Sequence, residues 1–142
     1  LIQDRYLSIM KTKISSKDYI DIYEACDWNP AVFSKALNAL GYSDELIVNG
    51  DLYFRETPIK SLVNIKEVNG WINLKETPIQ SLGNLQKVWG WLDLEETDIQ
   101  SLGNLKYVGG WLDLEGTPLS KKYSKEEIRK IVKKFGVNVF LV

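Results

Sequence analysis

From residue 48 to residue 119 the apolar positions recur at a fixed interval of 20. Leu52, Ile72, Leu92 and Leu112 form one column. Phe54, Leu74, Leu94 and Leu114 form a second, two residues on. A spacing of two puts both columns on one face of a β-strand. Ile59, Ile79, Ile99 and Leu119 make a third column. Leu62, Leu82 and Leu102 follow, then Ile65, Leu85 and Leu105, then Val48, Val68, Val88 and Val108. Each period therefore directs about six apolar residues inward. One such turn cannot bury them alone, but stacked neighbours can. No insertion or deletion breaks the register, so the pattern predicts a solenoid.

Polar positions recur with the same interval. Thr57, Thr77, Thr97 and Thr117 fall at the bend after the strand. Their stacked hydroxyls are expected to bond backbone groups of the next turn. Asn64, Asn84 and Asn104 are expected to serve the following bend. Gly50, Gly70, Gly90 and Gly110 precede the strands, which implies φ > 0 or a close backbone approach. The pattern GxLxLxxTxIxSLxNLxxVx over residues 48–119 resembles leucine-rich repeats, and more closely the repeats in the L domains of the insulin and epidermal growth factor receptor families. Thr stands where the leucine-rich family has its ladder Asn, and the turn is shorter, so extended or tightly turned segments replace a regular convex helix. The resemblance implies a parallel sheet whose exposed face binds a partner; it implies no chemistry. Short Trp- and Thr-bearing arrays of this kind are also similar to repeat proteins of bacteria and large bacteriophages, where blocking a host protein is a natural use.

The flanks predict caps, because the open ends of a solenoid expose apolar surface and strand edges. Ser15-Ser16-Lys17-Asp18 is a capping-box variant, followed by an apolar stripe of Tyr19, Ile20, Ile22, Tyr23 and Cys26. Asn29-Pro30 starts a second helix with Phe33, Ala36, Leu37 and Leu40 as its buried face, and Gly41 ends it. Residues 3–11 form either an earlier helix, with Ile2, Tyr6, Ile9 and Met10 inward, or a strand over Arg5–Met10. At the other end Ser124-Lys125-Glu126-Glu127 is a capping box. Ile128, Ile131, Val132 and Phe135 follow at helical spacing, Gly136 ends the helix, and Val137–Val142 closes as a strand. The expected fold is an α+β repeat solenoid with a short parallel β-sheet of about four 20-residue turns. Residues 1–43 form a helical N-terminal cap, 44–119 the solenoid and 120–142 a helix–strand cap, all one folded unit.

Composition narrows the chemistry. The net charge of −1 hides a neutral N-terminal third, an acidic middle with six basic against twelve acidic groups, and a basic tail with seven against two. An acidic middle argues against nucleic-acid binding there. The single cysteine, Cys26, excludes an intramolecular disulfide and falls on an apolar helix face. It fits a reducing compartment. Leu1–Met10 carries Asp4 and Arg5 and so lacks the apolar stretch of a signal peptide, and no run approaches a membrane span. The expected location is cytoplasmic. With no histidine, the usual base for a serine or cysteine nucleophile is missing. No phosphate loop or metal-ligand spacing appears, and no cofactor is expected. Asp93, Asp113, Glu95 and Glu115 could pair as a glycosidase acid and base or hold Ca²⁺. The repeat alone explains their placement, however, and Asn73 and Lys75 dilute the columns. The chain is expected not to be an enzyme.

The outward columns carry the functional reading. Asp51, Trp71, Trp91 and Trp111 form one, Tyr53, Asn73, Asp93 and Asp113 the next, and Arg55, Lys75, Glu95 and Glu115 a third. Strand stacking places successive members ~4.8 Å apart. Trp71, Trp91 and Trp111 then lie side by side, bordered by carboxylates, with Trp89 widening the patch. Such a surface predicts a protein-binding hot spot. Trp71, Trp91 and Trp111 are its anchors, and Tyr53, Asn73, Asp93, Asp113, Glu95 and Glu115 set specificity. The bland alternative is that the rings only brace the sheet. Carbohydrate binding is a second functional reading and requires exposed ring faces. A third places nucleic acid or anionic lipid on Lys121, Lys122, Lys125, Arg129, Lys130, Lys133 and Lys134. Its alternative is a solvated helix face.

Overall fold

A computed structural model describes residues 10–132 and 138–141 of the chain. The repeats coil into a parallel β-solenoid of about three turns, accompanied by four helices. The order is β1 (Lys11–Ser15), α1 (Ser16–Ala25), α2 (Pro30–Ala39), β2 (Tyr42–Asn49), β3 (Leu52–Tyr53), β4 (Ile65–Asn69) and β5 (Ile72–Asn73). Then come β6 (Lys87–Val88), β7 (Leu92–Asp93), β8 (Tyr107–Val108), β9 (Leu112–Asp113), α3 (Pro118–Lys122), α4 (Lys125–Val132) and β10 (Val139–Phe140).

Each turn contributes two short strands, and so the solenoid has two parallel sheets where the periodicity suggested one. The first runs β1-β2-β4-β6-β8 and the second β10-β9-β7-β5-β3. The register follows the 20-residue period: Val68 pairs with Val88 and Val88 with Val108, while Ile72 pairs with Leu92 and Leu92 with Leu112. The valine column, read in the sequence only as inward-facing, forms the strands of the first sheet. A third side is irregular, with a single parallel bridge between Ser61 and Ser81. Every apolar column points into the core between these sides, and its members are buried.

The glycines at the corner divide by cause. Gly50 has φ +118, a conformation that side chains resist. At Gly90 the reason is approach: a Cβ there would stand 2.8 Å from the Trp71 nitrogen and 2.9 Å from the Gly70 carbonyl carbon. The same corner is tied by hydrogen bonds from Gly90 N–H to Gly70 O (2.9 Å) and from Gly110 N–H to Gly90 O (3.0 Å). The threonines bond within their own turn, not to the next one. Each hydroxyl donates to the carbonyl three residues earlier, Thr77 to Leu74 (2.7 Å) and Thr97 to Leu94 (2.8 Å). That closes the bend locally and leaves stacking to the backbone. Of the bend asparagines, Asn104 donates to Asn84 (3.2 Å), whereas Asn64 takes φ +58 and its buried amide nitrogen lacks a partner among the described residues.

Each sheet gains one non-repeat strand, at opposite ends of the coil. β1 lies parallel to β2, and Ile14 continues the valine column beside Val48. β10 lies parallel to β9, and Val139 continues the Leu52 column beside Leu112. Asn138 and β10 also accept the N–H groups of the last turn, Leu112 N–H to Asn138 O (2.8 Å) and Leu114 N–H to Phe140 O (2.7 Å). Between β1 and β2 run α1, capped by Ser15 (Asp18 N–H to Oγ, 3.0 Å), and α2, capped by Asn29 with Pro30 in its first turn. Tyr19, Tyr23, Phe33 and Leu37 are fully buried; Leu40, expected inside, is the C-cap residue just beyond α2 and is exposed. Gly41 takes φ +84 at that end. Tyr19 accepts from Val63 N–H (2.9 Å) and donates to Val63 O (2.8 Å), and Tyr23 donates to Ser61 O (2.8 Å). The two tyrosines thus satisfy backbone groups of the first turn.

α3, not anticipated from the pattern, starts at Pro118 with Thr117 as its cap. The Ser124–Glu127 box is reciprocal, with 3.2 Å in each direction, and α4 buries Ile128 and Val132. The early helix or strand over residues 3–11 falls largely on residues 1–9, and Phe135 and Gly136 on 133–137, all outside the described residues.

Candidate functional site

The outer side of the second sheet is built by alternation. In each turn the residues before, within and after the short strand alternate in and out, and Leu52, Ile72, Leu92 and Leu112 lock the inward set. The outward columns are then stacked by register. Trp71 lies on Trp91 with centroids 4.6 Å apart and planes within 2°, and Trp91 on Trp111 at 4.6 Å and 3°. All three rings are half-buried. Trp91 has an aromatic ring on both faces, so it offers an edge. At the N-terminal end Asp51 stands in the tryptophan column and accepts from Trp71 N–H (3.0 Å). At the other end Phe140 meets Trp111 nearly perpendicular, at 78° and 6.2 Å.

The next column is Tyr53, Asn73, Asp93, Asp113 and Phe140, in register along β3, β5, β7, β9 and β10. Its ends are exposed aromatics, Tyr53 at 51% and Phe140 at 42%. Its middle members turn the chain. Asn73, Asp93 and Asp113 accept from the N–H two residues on, at Lys75 (3.0 Å), Glu95 (2.9 Å) and Glu115 (2.9 Å). Such Asx turns end the strand in the second, third and fourth repeats.

Charge along the face is polarised. Arg55 pairs with Glu76 (3.3 Å) and Lys75 with Glu95 (3.2 Å). The cation column stops at Lys75, and so Asp93, Asp113 and Glu115 have no ion-pair partner among the described residues. Carboxylate oxygens of Asp93, Glu95 and Asp113 lie within 4.8 Å of one another. Burial first, then the neighbouring Asp113 and Glu95 charges, raises the Asp93 pKa above the ordinary carboxylate value. Burial likewise raises Asp113, and the Asp113 charge raises Glu115. Asp93 and Asp113 each commit an oxygen to their turn, and Lys75 neutralises part of the cluster; turn formation accounts for these carboxylates without a bound cation.

All nine residues singled out by the periodicity stand on this one face. Trp89 does not join them. It flanks the first sheet, where its indole N–H donates to Glu67 and its ring meets Tyr107 (5.2 Å) and Lys87 (5.6 Å). Gly90 turns the corner between it and Trp91. Phe140 belongs to the face but lies outside the repeat, where no period could assign it a column; only its place in a closing strand was legible. The basic residues of the C-terminal helices lie elsewhere, on α3 and α4, where Arg129 faces Glu126 (3.8 Å). Lys133 and Lys134 are outside the described residues. Among the described residues no helix is long and apolar enough to cross a membrane. No protein-family profile, curated protein or solved structure matches this chain.

Proposed function

We propose that this protein is a non-enzymatic binding module that recognises a protein partner through the outer face of its second sheet. The observation that carries this reading is the continuous strip of stacked Trp71, Trp91 and Trp111, edged by Asp93, Asp113 and Glu115 and ended by exposed Tyr53 and Phe140. Rings already fixed in a stack lose little side-chain entropy on binding, which favours hot-spot use. The unpaired carboxylates give the face a negative field that steers a basic partner. The edge-on presentation supports a protein over a sugar, since a ring spacing of 4.6 Å admits nothing between the tryptophans.

Site-specific photocrosslinking tests it. A photoreactive phenylalanine analogue is placed at Tyr53 on the face and, as control, at Lys106 away from it. Crosslinks to one protein from position 53 but not from 106, lost in an Asp113→Lys/Glu115→Lys variant that keeps its circular dichroism, are the expected result. Equal crosslinking from both positions would overturn the assignment of the face.

A further inference from the structure

The C-terminal end of the strip differs from the rest. Trp91 covers one face of Trp111, but the ring beyond it, Phe140, stands at 78° instead of stacking. The two rings leave a cleft of about 300 Å³, lined by Trp111, Asp113, Glu115 and Phe140. Two walls are aromatic and the others are carboxylates. In the first two repeats an Arg or Lys stands at the position of Glu115: Arg55 pairs with Glu76, and Lys75 with Glu95. Here, as at Glu95 one turn earlier, that position is acidic; neither Asp113 nor Glu115 forms an ion pair among the described residues, and Lys75, held by Glu95, offsets their charge only in part. The cleft therefore combines π surface with a net negative charge that no ion pair cancels, which is the environment that stabilises a flat cation.

We infer that this cleft is a socket for one arginine side chain of the partner, a refinement that rests on the protein-binding reading above. The guanidinium lies against Trp111, with Phe140 closing the outer side. Its N–H groups reach Asp113 and Glu115, giving charge-assisted bonds that a lysine cannot match in number. Binding also relieves the mutual repulsion of these two carboxylates. Phe140 thereby acts as a specificity residue supplied by the closing strand, and the socket forms only when β10 is docked on β9.

The probe is N-acetyl-arginine methylamide, titrated into the ¹⁵N-labelled full chain, with the citrulline and lysine analogues as controls. The Trp111 indole signal, assigned with Trp111→Phe, and the Glu115 amide are expected to shift saturably, in the ~1–10 mM range of a single side chain. The lysine analogue is expected to bind at least about threefold more weakly, and the neutral citrulline analogue to leave both signals in place. An Asp113→Asn/Glu115→Gln variant keeps the turn, as Asn73 already does in its own repeat, and is expected to lose about fivefold or more in affinity. Absence of a saturable shift, equal shifts from citrulline or lysine, or unchanged affinity in that variant would each overturn the socket. Crosslinking from position 53 with no arginine binding removes the socket and leaves the protein-binding reading standing. Arginine binding with no crosslink retains the socket and removes that reading.

Discussion

At the residue scale, the repeat allows one position to be compared with itself in successive turns. Asn73, Asp93 and Asp113 make the same turn, but only the aspartates bring charge to a partly buried, like-charged site. The folded pKa of Asp93 stands above its unfolded value. The native state then binds more protons across that window, and stability falls as pH rises through it. Asp93 thus costs stability at pH 7, and the cost vanishes below the ordinary carboxylate pKa. Asp93→Asn is expected to stabilise the fold at pH 7 by about 0.5 kcal/mol, the scale of a like-charge pair facing across strands. Urea unfolding at pH 7 and again near pH 3.5 checks this, and a gain that persists undiminished in acid would contradict it. A second comparison concerns Glu56, Glu76, Glu96 and Gly116, all at positive φ, from +56° to +71°. Only the last repeat has the residue that conformation favours. Glu96→Gly is expected to gain about 0.5 kcal/mol, the left-handed penalty less the extra chain entropy of glycine; a lower denaturation midpoint would count against it. The sequence predicted all nine face residues because period and strand alternation together decide direction. It misplaced Trp89, since a spacing of two holds only inside a strand and Gly90 is a corner.

At the element scale, what the sequence made legible depended on local chemistry. Ser15, Asn29 and the Ser124–Glu127 box marked helix starts correctly because capping needs only residues within a few positions. α3 was missed because its five residues, Pro118–Lys122, replace the bend of a repeat and are too few to show a period. The first sheet was missed because its inward residues are three apart, as at Leu85 and Val88, and not at the spacing of two that marks a strand. The long-range role of Tyr19 was equally invisible. Its hydroxyl serves both backbone groups of Val63, 44 residues away, on the side of the coil that has no regular strands. Tyr19→Phe leaves a buried N–H and C=O without their partner. It is expected to cost about 1–3 kcal/mol, with faster hydrogen exchange at Val63 than at Val88. A change below about 0.5 kcal/mol would mean that water replaces the hydroxyl there.

At the scale of the whole molecule, the two added strands lie at opposite ends of the coil, one in each sheet. β1 extends one sheet at the N-terminal end and β10 the other at the C-terminal end, so each end of the array gains one strand from outside the period. From β4 to β9 the array is nearest-neighbour stacking in uniform register, for which stability is a sum over turns and their interfaces. One turn should therefore be removable. Deleting residues 71–90 joins Gly70 to Trp91 and keeps every column in phase. It removes Trp71 and Lys75 and leaves Trp91 on Trp111, with Arg55 facing Glu95 in place of Lys75. The shortened chain is expected to fold with the same circular dichroism shape and to unfold cooperatively at a lower urea midpoint. Its m-value should fall by roughly one-seventh, because m follows the surface exposed on unfolding and 20 of 142 residues are gone. A deletion of 71–85, which shifts the columns by five, is the control and is expected not to fold, since it sets polar residues into the core. Equal behaviour of the two deletions would mean that the period does not govern the packing. Arginine binding at the Trp111–Phe140 cleft should survive the in-phase deletion, because all four lining residues and β10 remain.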